Sequence, residues 1–321
     1  MLRVELDIYS GMPNPTWTLT DPEEQELLDR IVAQPTLMRS ADSAPAVLGY
    51  RGFFVSVEKE DDGAWTKAAK AMAGQLEVSD ANADKVKAAF ANGISLPTTF
   101  RIGTLDPTQA SVVAGDGSTD ASAWLLNTSE KPDSSVDDFL REVAKGTIDL
   151  AAVVTATALE ETEAAVSPAG LGMTCSSNYY TGTDYSAWNS SYYVTRNNCY
   201  CFGSNHRANI RYASPGKRTL GYFPGLSYTQ MRTGLFADGW RDSCVAARNL
   251  SIACVVWPNY DFHFYRKVNS SGVWGHKPGG TPAKSTDNSG RVIYNPQTCN
   301  RGYYTSWYGY YYQDNNTAYV A

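Results

Sequence analysis

A break in composition near residue 170 constrains this chain more than any single motif in it. Residues 1–170 hold 13 Lys/Arg and 27 Asp/Glu, a net charge of -14. Residues 171–321 hold 14 and 6, a net of +8. Every Cys, every His and 19 of the 21 Tyr lie after the break, and no Glu follows Glu163. Elements that share one core and one surface rarely differ so sharply, and 321 residues are enough for two domains. The expectation is an α+β protein of two domains. Residues 1–165 would form an acidic α+β accessory domain, 166–170 a linker ending in Ser167-Pro168-Ala169-Gly170, and 171–321 a Cys/His/Tyr-rich domain with an antiparallel sheet. Any thiol or imidazole chemistry falls to the second of these.

The first half reads as alternating strands and helices. Val4, Leu6 and Ile8 alternate with Glu5 and Asp7, which predicts a half-buried strand over 3–9. Gly11-Met12-Pro13-Asn14-Pro15 follows as a rigid turn. Asp21, Pro22 and Glu24 predict a helix start, with Leu27, Leu28, Ile31 and Val32 as its apolar face. A second strand is expected over 48–57 and a third over 98–102. Helical spacing recurs in Trp65, Ala68, Ala69 and Met72, and again in Ala83, Val86, Ala89 and Phe90. Ser135 is expected to cap a last helix and Gly146 to stop it. The acids spread over helix surfaces, which fits solvated faces, or a dock for the basic half.

No run of 18 apolar residues appears, so no membrane span is expected. The first residues lack the long apolar core of a signal peptide, which points to the cytoplasm or to export by another route. No phosphate-binding glycine loop is present and no cofactor is expected. Cys199-x-Cys201 with His206 departs from the usual zinc spacing, so no metal is expected either. Lys and Arg are scattered rather than striped, which argues against nucleic acid.

In the second half, Ser227 is positioned to cap a helix that Gly239 ends. Ser251–Trp257 carries the strongest strand pattern, a Pro258-Asn259 turn follows, and residues 260–268 form the next strand. A four-residue turn at Asn269–Gly272 leads into Trp274-Gly275-His276, which predicts an antiparallel meander. Period 2 puts Asp261, His263, Tyr265 and Lys267 on one face. If Val268 pairs with Val273, His276 faces Tyr265 and lies one diagonal step, about 7–8 Å between Cα atoms, from His263. Asn197 or Asn198 would cap a short helix with Cys199 in its first turn, where free N–H groups favour a thiolate.

Cys199 after Asn198, His263 on a polar strand face and His276 13 residues later resemble the NlpC-type papain-fold cysteine peptidases over residues 195–280. That resemblance implies a papain-like sheet-and-helix domain that cuts an amide bond in a peptide or cell-wall peptide. Cys199 would be the nucleophile, His263 the general base and His276 the orienting group, with Asp287 or Asn295 as substitutes for His276. The Cys199 backbone N–H would serve the oxyanion hole. Gly203-Ser204-Asn205 predict a shorter helix than that family has.

The residues also allow other readings. Cys199 could pair with Cys175 or Cys299, or be an inert buried thiol; Cys244 and Cys254 could be core residues or bridge each other. His263, between Phe262 and Phe264, could be a core histidine. Clustered Tyr suits strand pairing or stacking on sugar rings. A non-enzymatic, disulfide-stapled module that binds a glycan or protein surface is the alternative function.

Overall fold

The computed structural model describes residues 1–58, 63–72, 96–103, 118–154, 175, 178–245, 248–314 and 319–321. It contains helices and two antiparallel four-stranded sheets, an α+β composition. Two compact units emerge: Met1–Asp7, Asn14–Ser43 and Tyr50–Glu161 form one, and Ile8–Pro13, Ala44–Gly49 and Thr162–Ala321 the other. Two short segments from the acidic half therefore belong with the second unit. The expected linker at 166–170 and the expected helix at 83–90 lie outside the described residues.

In the first unit, β1 (Leu2–Leu6), β2 (Thr16–Thr18), β3 (Phe53–Val57) and β4 (Thr99–Ile102) pair in the order β2-β1-β3-β4. Leu2, Val4, Leu6, Phe53, Val55, Phe100 and Ile102 are buried at alternating positions, as period 2 requires. Helix α1 (Asp21–Ala33) buries Leu27, Leu28 and Ile31. Its N-cap is Thr20 rather than Asp21, because Glu23 reaches back to the Thr20 N–H at 2.8 Å. Helix α2 (Ala64–Met72) buries Trp65, Ala68 and Ala71.

The helix expected to run from Ser135 to Gly146 instead spans Asp138–Val154. Asp137 starts it, accepting the Leu140 N–H at 2.8 Å. Gly146 does not stop it. An exposed helical glycine costs about 1 kcal/mol. The extra turn buries Ile148 on the face begun by Leu140 and Ala144, worth about 1.5–3 kcal/mol.

In the second unit, β5 (Leu250–Trp257), β6 (Asp261–Lys267), β7 (Trp274–His276) and β8 (Ser306–Gln313) pair in the order β7-β6-β5-β8. All eight residues of β5 are buried, as expected of a central strand covered on both faces. Asn259 takes a left-handed φ of 69° in the β5–β6 turn. The expected register holds: Tyr265 pairs with His276 and Lys267 with Trp274. A capping box between Ser227 and Gln230 opens the Tyr228–Ala237 helix, as expected. Cys175 and Cys244 form a disulfide, so the pairings considered for Cys199 and for Cys244 with Cys254 are not those adopted.

Phe262, Phe264 and Arg266 point to one side of β6. The two phenylalanines join Cys199, Tyr200, Phe202, Ile252 and Cys254 in an apolar core, and Arg266 donates to the Phe202 carbonyl. Asp261, His263 and Tyr265 occupy the opposite side.

Candidate functional site

Asn198 caps the short Cys199–Gly203 helix, its Oδ1 accepting the Tyr200 and Cys201 N–H groups at 3.2 Å. Cys199 is the first helical residue and is fully buried. The helix packs against β6. β7 covers β6 only from Tyr265 to Lys267. Beyond that end the Cys199 Sγ–H donates to the Phe262 carbonyl at 3.7 Å. The thiol thus sits on the aromatic side of β6, next to the part of its edge that β7 leaves open.

His263 and His276 meet as their spacing predicted, with His263 Nε2 2.9 Å from His276 Nδ1. Tyr265 stacks on the His276 ring at 5.1 Å between centroids. The far end of this pair sets its protonation. His276 Nε2 lies 2.9 Å from the Thr286 carbonyl, which can only accept, so Nε2 carries the proton. Burial, with the nearby Lys284 charge, pushes the His276 pKa down to about 3, so the ring is neutral and its Nδ1 is bare. That Nδ1 accepts the His263 Nε2–H. A neutral His263 then presents a lone pair at Nδ1, the atom a general base uses.

The partner at that atom is a residue the sequence did not single out. Ser10 Oγ lies 2.6 Å from His263 Nδ1 and donates to it. The same hydroxyl accepts the Gly279 N–H at 3.1 Å, and Ser10 acts on the Cys199 thiol as well, opposing part of the rise that burial gives its pKa. Ser10 is therefore bonded to the imidazole on the polar side of β6 and acts on the thiol on its aromatic side. Burial, reinforced by the Asp261 charge, raises the Cys199 pKa, so the thiol is protonated in this arrangement.

Asp261 holds the segment that delivers Ser10. Its carboxylate accepts the backbone N–H groups of Ser10 at 2.5 Å, Gly11 at 3.0 Å and Met12 at 2.6 Å, and the Tyr304 hydroxyl. Burial pushes its pKa up to about 6, and these hydrogen bonds pull against that rise. Asn198 Nδ2 donates to the Gly11 carbonyl at 3.3 Å and to the Ala213 carbonyl at 2.7 Å. Lys277 is also buried; its Nζ donates to the carbonyls of Val194, Asn197 and Gly279. That ties the residue after His276 to the loop before Cys199.

Asp287 is not the orienting group. Its carboxylate accepts the N–H groups of Ser289, Arg291 and Asn300, which closes a loop. It is the neighbouring Thr286 that touches His276, through a backbone carbonyl. Asn295 likewise serves its own turn, accepting the Gln297 N–H. Cys201 donates to the Ile210 carbonyl, and burial lifts its pKa to about 11. His206 Nδ1 accepts the Val320 N–H. Among the described residues, no group of three or more His, Cys, Asp or Glu is placed to hold a metal ion, and no helix is long and apolar enough to cross a membrane.

The second unit is thus defined by an antiparallel sheet with a buried Cys, Ser, Asp and paired-His centre at its open edge. No protein-family model matches the chain, and no solved structure matches it. Among curated proteins, it is similar to insoluble matrix shell protein 1 of Ruditapes philippinarum, 36% identical over 130 residues. The match covers 38% of this chain and 83% of that protein, and the chain belongs to the family of insoluble matrix shell protein 1.

Proposed function

We propose that the second unit is a cysteine hydrolase that cleaves an amide bond in a peptide, such as a cell-wall peptide. The observation that carries this reading is Ser10, whose hydroxyl is bonded to His263 Nδ1 at 2.6 Å and which also acts on the Cys199 thiol. A base that accepts the Ser10 hydroxyl and a thiol stand on either side of that residue. His276, fixed by the Thr286 carbonyl, orients the base.

In the reaction the Cys199 proton moves to His263 Nδ1 and the sulfur attacks the substrate carbonyl carbon. The C–N bond breaks, the amine leaves with the proton from His263, and a thioester remains. Water then hydrolyses the thioester, releasing a carboxylate and restoring the thiol. The Cys199 backbone N–H and the Asn198 side-chain amide are the donors nearest the developing oxyanion. Replacing Cys199 by Ala should lower turnover of a fluorogenic peptide by about a thousandfold, while near-UV circular dichroism stays unchanged. Retention of full turnover by Cys199→Ala contradicts the proposal.

A second reading has its own support. The relative is named as a shell matrix protein, the Cys175–Cys244 bridge suits an oxidising compartment, and Tyr192, Tyr222, Tyr294 and Tyr319 are exposed. On this reading the unit is a non-enzymatic, disulfide-stapled module that binds a glycan or protein surface. Retention on an insoluble polysaccharide, lost when those tyrosines become Ala and kept in Cys199→Ala, would favour it.

A further inference from the structure

We infer that Ser10-Gly11-Met12 occupies the substrate cleft of the Cys199–His263 centre, and that the cleft takes a bent peptide main chain with glycine opposite Phe262. This deepens the hydrolase reading and rests on it. Three observations converge. The first is the backbone grip: three successive N–H groups donate to Asp261, and the Gly11 carbonyl accepts from Asn198, the residue beside the nucleophile. A peptide held through its main chain is what a peptide-cleaving cleft binds, and the Gly11 carbonyl meets the donor that would meet a reacting carbonyl.

The second observation is the fit at Gly11. A Cβ there would lie 2.3–2.6 Å from three ring carbons of Phe262. That ring is fully buried and in contact with Phe223 and Phe264, so it has little room to swing away. The third is Ser10, whose hydroxyl takes the proton-accepting atom of His263. While it stays there, Cys199 cannot hand its proton to the imidazole directly, and the thiol remains buried and protonated. The occupant thus blocks the chemistry of the cleft whose shape it reports.

The test uses the full chain and iodoacetamide, with alkylation sites mapped by mass spectrometry. Cys299 is partly exposed and serves as the internal reference. In wild type, Cys199 should label slowly. In Gly11→Ala, which cannot seat the segment, labelling should quicken by about tenfold or more. A synthetic peptide with the sequence of residues 8–14 should slow it again, and the same peptide with Ala in place of the glycine should not. Slow labelling of a folded Gly11→Ala protein, or protection by both peptides alike, overturns the inference. If Gly11→Ala does not fold, Asp261→Asn replaces it, with the same faster labelling and the same rescue expected, and their absence overturning. Faster labelling without any peptide hydrolysis sustains the occupied cleft and removes the hydrolase reading instead. Loss of hydrolysis in Ser10→Ala, with Cys199→Ala still active, would make Ser10 the nucleophile and overturn both.

Discussion

Two buried aspartates, one in each unit, show how differently a carboxylate can be held. In the first unit Asp7 accepts from the guanidinium groups of Arg51 and Arg101, each at 2.6 Å. Burial alone would raise its pKa, but the two cations outweigh that and hold the carboxyl well below the usual range. In the second unit Asp261 accepts from neutral donors, among them the backbone N–H groups of Ser10, Gly11 and Met12 and the Tyr304 phenol, and burial raises its pKa to about 6. The first arrangement is a permanent structural ion cluster. The second grips a piece of backbone with a group that can lose its charge at mild pH.

The largest expected effect comes from breaking the ion cluster. Asp7→Asn removes the carboxylate that both buried guanidinium groups share and should cost about 3–5 kcal/mol, read as a fall in the urea midpoint. Asp261→Asn keeps a neutral acceptor for neutral donors and should cost about 1–3 kcal/mol. Equal losses in the two variants would dissolve the distinction between them.

Removal of the Cys175–Cys244 bridge, which closes a separation of 69 residues, should cost about 2–5 kcal/mol without changing the alkylation rate of Cys199. A change in that rate would join the bridge to the site.

A smaller effect concerns pH. His276 has an unfolded value of 6.5 and a folded value of about 3. Between these the unfolded chain binds more protons, so its share of stability is lost as pH falls from about 6.5. Asp261 runs the other way: its folded value of about 6 exceeds the unfolded 3.8, so acidification through that window adds stability. The two trends oppose each other. Asp261→Asn removes the offset and should lose more of its urea midpoint between pH 7 and 4.5 than wild type does. An equal or smaller loss would contradict the assignment. The smallest effect is local: Ser227→Ala should cost about 1 kcal/mol by removing a helix cap.

Much of the site was legible because short-range rules govern it. The four-residue turn set the β6–β7 register, and that register brought His263 and His276 together. Asn198 before Cys199 announced a helix cap. Ser10 was not legible. It lies 253 residues from His263 in sequence, in a Gly/Pro-rich stretch that reads as a plain turn, and no periodicity ties it to the sheet. Asp287 misled because an acid near a histidine is a common orienting pair, whereas here a backbone carbonyl does that work. In the first unit, Gly146 failed as a stop signal because burial of Ile148 outweighs the local preference.

The central claim is that the Cys199 thiol and the His263 lone pair form one reactive centre, closed by Ser10. The most direct measurement is covalent trapping of Gly11→Ala by a peptide vinyl sulfone ending in glycine, with the adduct mapped by mass spectrometry. The account predicts one rapid adduct at Cys199 that His263→Ala slows by about a hundredfold or more. An adduct confined to Cys299, or one at Cys199 that forms equally fast in His263→Ala, would contradict it.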